Sequence, residues 1–149
     1  MARKISVFAA LNNREAVEQL VSKPYNLIVI DQFFPDLGGL DFCRFLRLTA
    51  GPMAVAPIVF GIHNPNQQNV LEARDAGVTK IAVMPFSGAS LIKALQDALA
   101  DTRDIVQHTS YNGPDRRTRN VPPPNRIERR KKAAKMIPRA LQRKILDNL

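Results

Sequence analysis

The chain has 149 residues, of which 45% are apolar, enough for one packed domain and an extension. It contains neither the roughly 20 consecutive apolar residues of a membrane-spanning helix nor, in MARKISVFAALNN, the apolar run and cleavage site of a secretory leader. A single cysteine, Cys43, excludes an internal disulfide and a thiolate metal cluster and fits a reducing compartment. We therefore expect a cytoplasmic protein without a membrane span.

The net charge of +9 lies entirely in the last third of the chain. Residues 1–102 contain 9 basic and 9 acidic residues, whereas residues 103–149 contain 13 basic and 4 acidic residues. A basic segment of this kind attracts phosphate backbones, anionic membrane surfaces or acidic protein faces. The sequence therefore divides into a neutral head, residues 1–102, and a basic tail, residues 103–149.

Four strand-then-helix cycles are predicted in the head. The apolar, β-prone run KISVFAA at residues 4–10 precedes a helix that opens on asparagine caps and repeats apolar residues at helical spacing. In YNLIVID, residues 25–31, the apolar residues are consecutive, as in a parallel strand covered on both faces, and Asp31 ends this strand. APIVFGI and KIAVM begin the third and fourth cycles, and the last amphipathic helix follows Pro85.

This alternation of strands and helices predicts an α/β fold with a doubly wound parallel sheet and right-handed crossovers. Ligand chemistry in such sheets gathers at the carboxyl ends of the strands. Asp31, Ile62, Met84 and Pro85 lie at such ends. Any functional site is therefore expected around these four residues.

The tail is predicted to be largely flexible, because NGPDRRTRNVPPPNRIERRKKAAK is rich in Pro, Arg and Asn and has little to bury. The final PRALQRKILDNL has Pro138 at a first-turn position and apolar residues four apart, which predicts a short terminal helix. A helix of this length is too short to be stable alone.

Several motifs together resemble the CheY-like receiver domains of two-component signalling: IVID at residues 28–31, then FFPDLGGLDFCRFLR, APIVF and EARDAGVTKIAVMPF. The run from EARDAGV through MPFSGASL and the motif YNGPDRR at 111–117 look like a bacterial subgroup of single-domain receivers with a GPDRR-type basic extension. The resemblance covers residues 4 to about 117 and implies a flavodoxin-like fold. Receivers have five β-α units, and alignment on Asp31 makes the first strand here the family's second. The first β-α unit of the family is therefore absent.

The resemblance also implies roles for individual residues. Asp31 occupies the phosphoacceptor position, and Pro85 is the proline that follows the family's fifth strand. Ile62 stands where the family has a Ser or Thr that holds a phosphoryl oxygen, and Met84 stands where it has a phosphate-neutralising Lys. Ile81 replaces the aromatic residue that reports the family's conformational switch. Since neither Ile62 nor Met84 can donate a charge-assisted hydrogen bond, we expect impaired or absent phosphorylation.

The metal ion that supports phosphorylation is expected to be missing as well. Receivers hold Mg²⁺ mainly with an acidic pair at the end of their first strand, and the sequence lacks that pair. If Met1 is an internal start, an upstream strand could restore the Mg²⁺ site, with Asp31 as a ligand, but not the residues lost at 62 and 84. Neither histidine, His63 or His108, has a carboxylate or cysteine at ligand spacing, and both are predicted to be surface residues.

The leading interpretation is a pseudo-receiver, a response-regulator-like protein that is not an enzyme and acts by contact with a histidine kinase or another signalling protein. No Walker-type or dinucleotide glycine motif supports a nucleotide enzyme. Loss of a central strand would expose a sheet edge. Three possibilities remain for this edge: it pairs by strand exchange in a homodimer, a partner protein covers it, or it stays uncovered. The alternative is a nucleic-acid-associated adaptor that grips phosphates with the basic residues of its tail, among them Arg116, Arg117, Arg129, Arg130, Lys131 and Lys132.

Overall fold

The computed structural model describes residues 6–116 and 135–147, the last of them for its backbone only. Residues 6–10 have no regular secondary structure. The helices and strands that follow are, in chain order, α1 (Asn13–Ser22), β1 (Ile28–Asp31), α2 (Gly39–Leu48), β2 (Ile58–Ile62), α3 (Gln67–Asp75), β3 (Lys80–Val83), α4 (Gly88–Ala100), β4 (Ile105–Gln107), β5 (Asn112–Pro114), β6 (Lys135–Ile137) and α5 (Arg139–Asp147). None of the described helices has the length and apolar character needed to cross a membrane.

Side-chain caps fix where the helices of the head begin. The side chain of Asn12 accepts a hydrogen bond from the backbone N–H of Glu15, and Asn66 does the same for Asn69, each at 2.8 Å. Ser87 caps α4 in a reciprocal arrangement with Ser90. These caps satisfy backbone donors that have no partner inside the helix, as the sequence predicted for the asparagines.

The head contains a parallel sheet of three strands in the order β1-β2-β3. One face packs against α1, α2 and α3 in a core that includes Ile30, Phe42 and Phe60. The other face packs against α4, where Ala94 and Ala98 meet β2 and β3. Helices on both faces explain why the strand sequences are apolar without alternation, and the predicted α/β class is confirmed.

The predicted first strand, at residues 4–10, is wrong for the described residues 6–10. A strand is stable only when its backbone groups pair with a neighbour, and residues 6–10 form no backbone–backbone hydrogen bond with β1. Among its described residues, the head therefore has three strands where four were predicted. Residues 6–9 are exposed instead of being part of the sheet.

The described part of the tail forms regular secondary structure. Strands β4, β5 and β6 form an antiparallel sheet in the order β5-β4-β6, and α5 lies within the segment for which a terminal helix was predicted. The apolar residues Ile105, Ile137 and Leu146 pack against Met53 and Val55, which precede β2. These residues of the tail and the head therefore share a core across residue 102, whereas most of the segment predicted to be flexible lies outside the described residues.

A buried arginine links separate segments of the head. Arg47, on α2, is 2% exposed and donates hydrogen bonds to the backbone oxygens of Gly77 (2.8 Å), Ala54 (3.0 Å) and Ala56 (2.7 Å) and to Thr79 Oγ1 (3.3 Å). Burial lowers the pKa of its guanidinium to about 10, which leaves it charged at neutral pH. Arg47 therefore holds the segments that enter β2 and β3.

The β4–β5 hairpin, residues 105–114, rests on this arrangement through two glycines. A Cβ on Gly77, whose φ is +91°, would collide with the backbone oxygen of Asn112, and one on Gly113 would collide with Gly77 itself. Arg116 then pairs with Asp75 of α3 at 2.5 Å. The GPDRR segment, as far as it is described, is thus docked on the head.

Cys43 gives a direct measure of opening of the core. Its side chain is 0% exposed, and burial raises the pKa of its thiol to about 12. We expect a thiol reagent at neutral pH to label the native protein slower than the unfolded chain by on the order of 10³-fold or more, the folded-to-unfolded ratio of a stable domain. A spectroscopic thiol-reagent assay with and without urea measures this ratio, and equal rates would contradict the packing.

The same thiol predicts a loss of stability in alkali. Between about 9 and about 12, the model-compound and folded pKa values of Cys43, the unfolded chain loses the thiol proton while the folded protein retains it. Stability therefore falls as the pH rises through that window. Cys43→Ala should remove this part of the pH dependence.

Candidate functional site

The carboxyl ends of the three parallel strands bring the sequence-predicted residues to one edge of the sheet. Asp31 ends β1 beside Gly61, and Ile62 ends β2 beside Val83. Met84 follows β3 and donates its backbone N–H to the oxygen of Ile62 at 2.8 Å. The structure thus places Asp31, Ile62 and Met84 on adjacent strand ends, in the arrangement that the sequence predicted.

The carboxylate of Asp31 is held at both oxygens. Its Oδ1 accepts the backbone N–H of Phe33 at 2.7 Å, and its Oδ2 lies 2.9 Å from Nε2 of His63. The side chain of Asp31 is 39% exposed. Asp31 therefore faces solvent but already has two hydrogen-bonding partners.

The contact with His63 was missed by the sequence analysis, which assigned this histidine no carboxylate partner. His63 follows β2 directly and donates its backbone N–H to Oε1 of Gln32 at 2.8 Å. The ring of Phe33 lies 4.7 Å from its imidazole. A residue that follows one parallel strand lies beside the end of the next, so strand order alone could have suggested the pair. His108 is separate and contacts Ser110 at 2.7 Å.

Two hydrophobic side chains, Ile62 and Met84, stand at the neighbouring strand ends. Ile62 is 0% exposed and packs in the main core, with Ile81 partly buried against the same core. Met84 is half-buried, and its thioether lies close to Gly61. The Met84–Pro85 peptide bond is cis. Neither Ile62 nor Met84 offers a hydroxyl or an ammonium group.

The turn after Asp31 depends on a glycine. A Cβ on Gly39 would collide with the backbone oxygen of Asp31 and would lie 2.9 Å from the ring of Phe60. The backbone N–H of Gly39 donates to the oxygen of Gln32 at 3.1 Å. This close approach fixes the start of α2 directly behind the Asp31 carboxylate.

The site offers one ligand of the kind that Mg²⁺ prefers. Mg²⁺ is bound through carboxylate oxygens and waters in octahedral geometry. Among the described residues there is no group of three or more His, Cys, Asp or Glu side chains that could hold a metal ion. Asp31 supplies a carboxylate at this strand end, and its Oδ2 already contacts Nε2 of His63.

The basic residues singled out in the tail are only partly described. Arg116 pairs with Asp75, and its guanidinium lies 3.9 Å from the ring centroid of Tyr111. The backbone oxygen of Arg116 accepts a hydrogen bond from Arg74 at 3.2 Å. The others lie outside the described residues: Arg117, Arg129, Arg130, Lys131 and Lys132.

The amino-acid sequence is similar to those of known regulatory proteins. The chain is 30% identical over 105 residues to the response regulator MprA of Mycolicibacterium vanbaalenii, an alignment that spans 70% of this chain and 41% of that protein. It is 26% identical over 112 residues to the transcriptional regulatory protein ResD of Bacillus subtilis, covering 75% and 43% of the two chains. The chain therefore spans less than half the length of these curated relatives. No family model matches it.

Solved structures show the same fold. The chemotaxis response regulator CheY4 of Vibrio cholerae superposes with a TM-score of 0.55 at 24% identity, over 60% of this chain and 73% of that one. A response regulator from Chloroflexus aurantiacus gives a TM-score of 0.57 at 20% identity, over 62% and 75%. The head therefore has the CheY-like receiver fold, and the sequence relatives given above are a response regulator and a transcriptional regulatory protein.

Proposed function

We propose that this protein is a response-regulator-like signalling module that acts in the cytoplasm through protein contacts, with impaired or absent phosphorylation of Asp31. The observation that carries the proposal is the set of residues around the Asp31 carboxylate. Its carboxylate is bound by His63 and by the Phe33 amide, and the neighbouring strand ends present Ile62 and Met84.

The chemistry of phosphoryl transfer supports this proposal. Attack of a carboxylate on a phosphoryl group brings together like charges, which a metal ion, an ammonium group or hydroxyl donors must offset. The alkyl chain of Ile62 and the thioether of Met84 cannot do so. The neighbouring His63 contacts the attacking carboxylate itself through Nε2. Asp31 is therefore a poor nucleophile toward phosphate.

The partner in this proposal is a histidine kinase or another signalling protein that recognises the receiver fold. Protein recognition needs only surface shape and charge, so it survives the loss of the phosphorylation chemistry. The fold is retained here together with the Asp31 turn, although the residues that would respond to a phosphate are replaced. We therefore expect binding that does not depend on phosphorylation.

Phosphorylation can be tested directly with the full chain. With acetyl phosphate and Mg²⁺, we expect no stoichiometric mass increase of one phosphoryl group by intact mass spectrometry, because Ile62 and Met84 cannot offset the charge of the transferred phosphate. Asp31→Asn is the matched control, and a phosphorylatable receiver domain serves as the positive control. A hydroxylamine-sensitive phosphoryl group that is present in the natural chain and absent from the Asp31→Asn variant would overturn the proposal.

The nucleic-acid interpretation stays a prediction. The described contacts of Arg116 are all within the chain, to Asp75, Tyr111 and Arg74. Salt-sensitive binding of DNA or RNA that disappears when residues 117–134 are deleted would support this interpretation, and absence of binding at low salt would contradict it.

A further inference from the structure

The outer edge of β1 has free backbone hydrogen-bonding groups. Ile28 donates its N–H to Pro57 at 3.0 Å and Gln32 donates to Gly61 at 2.8 Å, so alternate residues turn toward β2. Val29 lies between them and turns its N–H and C=O away from β2. Among the described residues these two groups have no hydrogen-bond partner. The side chain of Val29 is 47% exposed.

A groove runs along this edge. Its volume is about 340 Å³, and its lining is mostly apolar. The backbone of β1 forms one wall, Ala16 and Leu20 of α1 together with Phe42 of α2 contribute to its lining, and residues 8–10 form part of the opposite side. An extended segment with apolar residues at alternate positions would pair with β1 and fill this groove.

The chain carries an unpaired apolar segment beside the groove, residues 6–10, here called the arm. Its sequence is SVFAA, with Val7 85% exposed and Phe8 49% exposed. Within the described residues, the one hydrogen bond to its backbone comes from Gln19 Nε2 to the oxygen of Ala9, at 2.9 Å. Phe8 contacts the ring of Tyr25 edge-on, with Lys23 over its own ring. The arm is thus a strand-forming sequence without a strand partner.

The base of the arm is fixed on α1. The Asn12 side chain caps Glu15 at 2.8 Å, and the N–H of Leu11 donates to Oε2 of the same Glu15 at 2.9 Å. Further along the arm, Ala9 is bonded to Gln19 and Phe8 packs on Tyr25, so the arm stays on the α1 side of the groove and does not pair with its own β1. An exchange would release these two contacts in each copy and replace them with pairing to β1 of the other copy.

We propose that the arm of a second copy lies along β1 as an added strand, and that the two copies exchange their arms reciprocally. A two-fold dimer places both halves of the contact, the free edge and the arm, on each subunit. It removes Val7, Phe8 and Val29 from water and gives partners to the Val29 backbone. The second copy would then be a protein partner of the kind that the proposed function requires. The role of the dimer in signalling rests on that proposed function, whereas the formation of the dimer does not.

Disulfide trapping between two differently tagged chains tests the exchange. In a Cys43→Ala background, one chain carries Val7→Cys and the other Val29→Cys, and they are mixed before mild oxidation. We expect a mixed disulfide that joins the two tags. Val21→Cys, at a residue that is 83% exposed on α1 and outside the groove, replaces Val7→Cys as the control. A control that cross-links equally well, or no mixed disulfide, would overturn the proposal.

The double variant Val7→Cys, Val29→Cys separates exchange from closure within one chain. A disulfide inside a monomer of this variant means that the arm closes on its own β1, which contradicts the exchange.

Light scattering on the unaltered chain provides a second test, whose first measurement needs no substitution. We expect a dimer that Val29→Lys weakens by about tenfold or more and that Val21→Lys leaves unchanged. A monomer at all concentrations would also contradict the proposal. Since no phosphate donor is present, these outcomes are independent of whether Asp31 is phosphorylated.

Discussion

Replacing Arg47 with methionine is expected to lower the free energy of unfolding by about 3 kcal/mol or more. Methionine keeps much of the volume but leaves the buried backbone oxygens of Gly77, Ala54 and Ala56 without their donor. These oxygens lie where β2 and β3 begin, so the loss affects the sheet as well as the docked hairpin. Urea unfolding followed by circular dichroism measures the change.

Arg44→Met is the matched control, since Arg44 is on the same helix. Its side chain is 46% exposed and pairs with Asp41 at 2.6 Å. Surface pairs of this kind contribute little, so a change within about 0.5 kcal/mol is expected. If the two variants lose similar stability, the buried hydrogen bonds of Arg47 do not make a large contribution to the free energy of unfolding.

The second large effect is expected for Gly77→Ala, with a loss of about 2 kcal/mol. The added Cβ would meet the Asn112 backbone oxygen and would lie 2.9 Å from Cγ of Arg47, at a backbone φ of +91°. An alanine is strained at this φ, and the collision also pushes the β4–β5 hairpin away from the head. Urea unfolding gives the stability, and hydrogen exchange at residues 105–116 reports the hairpin.

Gly88→Ala provides the comparison for this second variant. Gly88 is the first residue of α4, and a Cβ there meets nothing within 4 Å. Alanine forms helix better than glycine, so stability should stay the same or rise slightly. Retained protection of residues 105–116 in the Gly77→Ala variant would show that the glycine contact does not dock the hairpin.

The features that could be predicted from the sequence are those that depend on local pattern. The runs IVI at residues 28–30 and IVFGI at residues 58–62 do not alternate with polar residues, because helices cover both faces of their sheet, and this pattern located β1 and β2. Because Asp31 ends the first of these runs, the sequence also placed it at the carboxyl end of a strand. The terminal helix α5 was visible in the spacing of its apolar residues.

The features that were missed depend on which segments become neighbours. Residues 4–10 have the composition of a strand, but composition cannot supply the partner that a strand needs. The pair Asp31–His63 joins residues that are 32 apart in sequence, and only the order of the strands brings them together. Arg47 reads as an ordinary helix residue until the backbone oxygens around it are known. Ile105 and Ile137 of the tail pack in a core that they share with residues of the head, which the local sequence does not reveal.

The order β5-β4-β6 fixes both ends of the chain segment between Pro114 and Lys135 on the two sides of the same strand. Strand β4 is thus the shared partner of β5 and β6, which do not pair with each other. A change that disrupts β4 would therefore release both flanks of this segment together, and the basic residues of the tail would lose both of their attachments to the head at once.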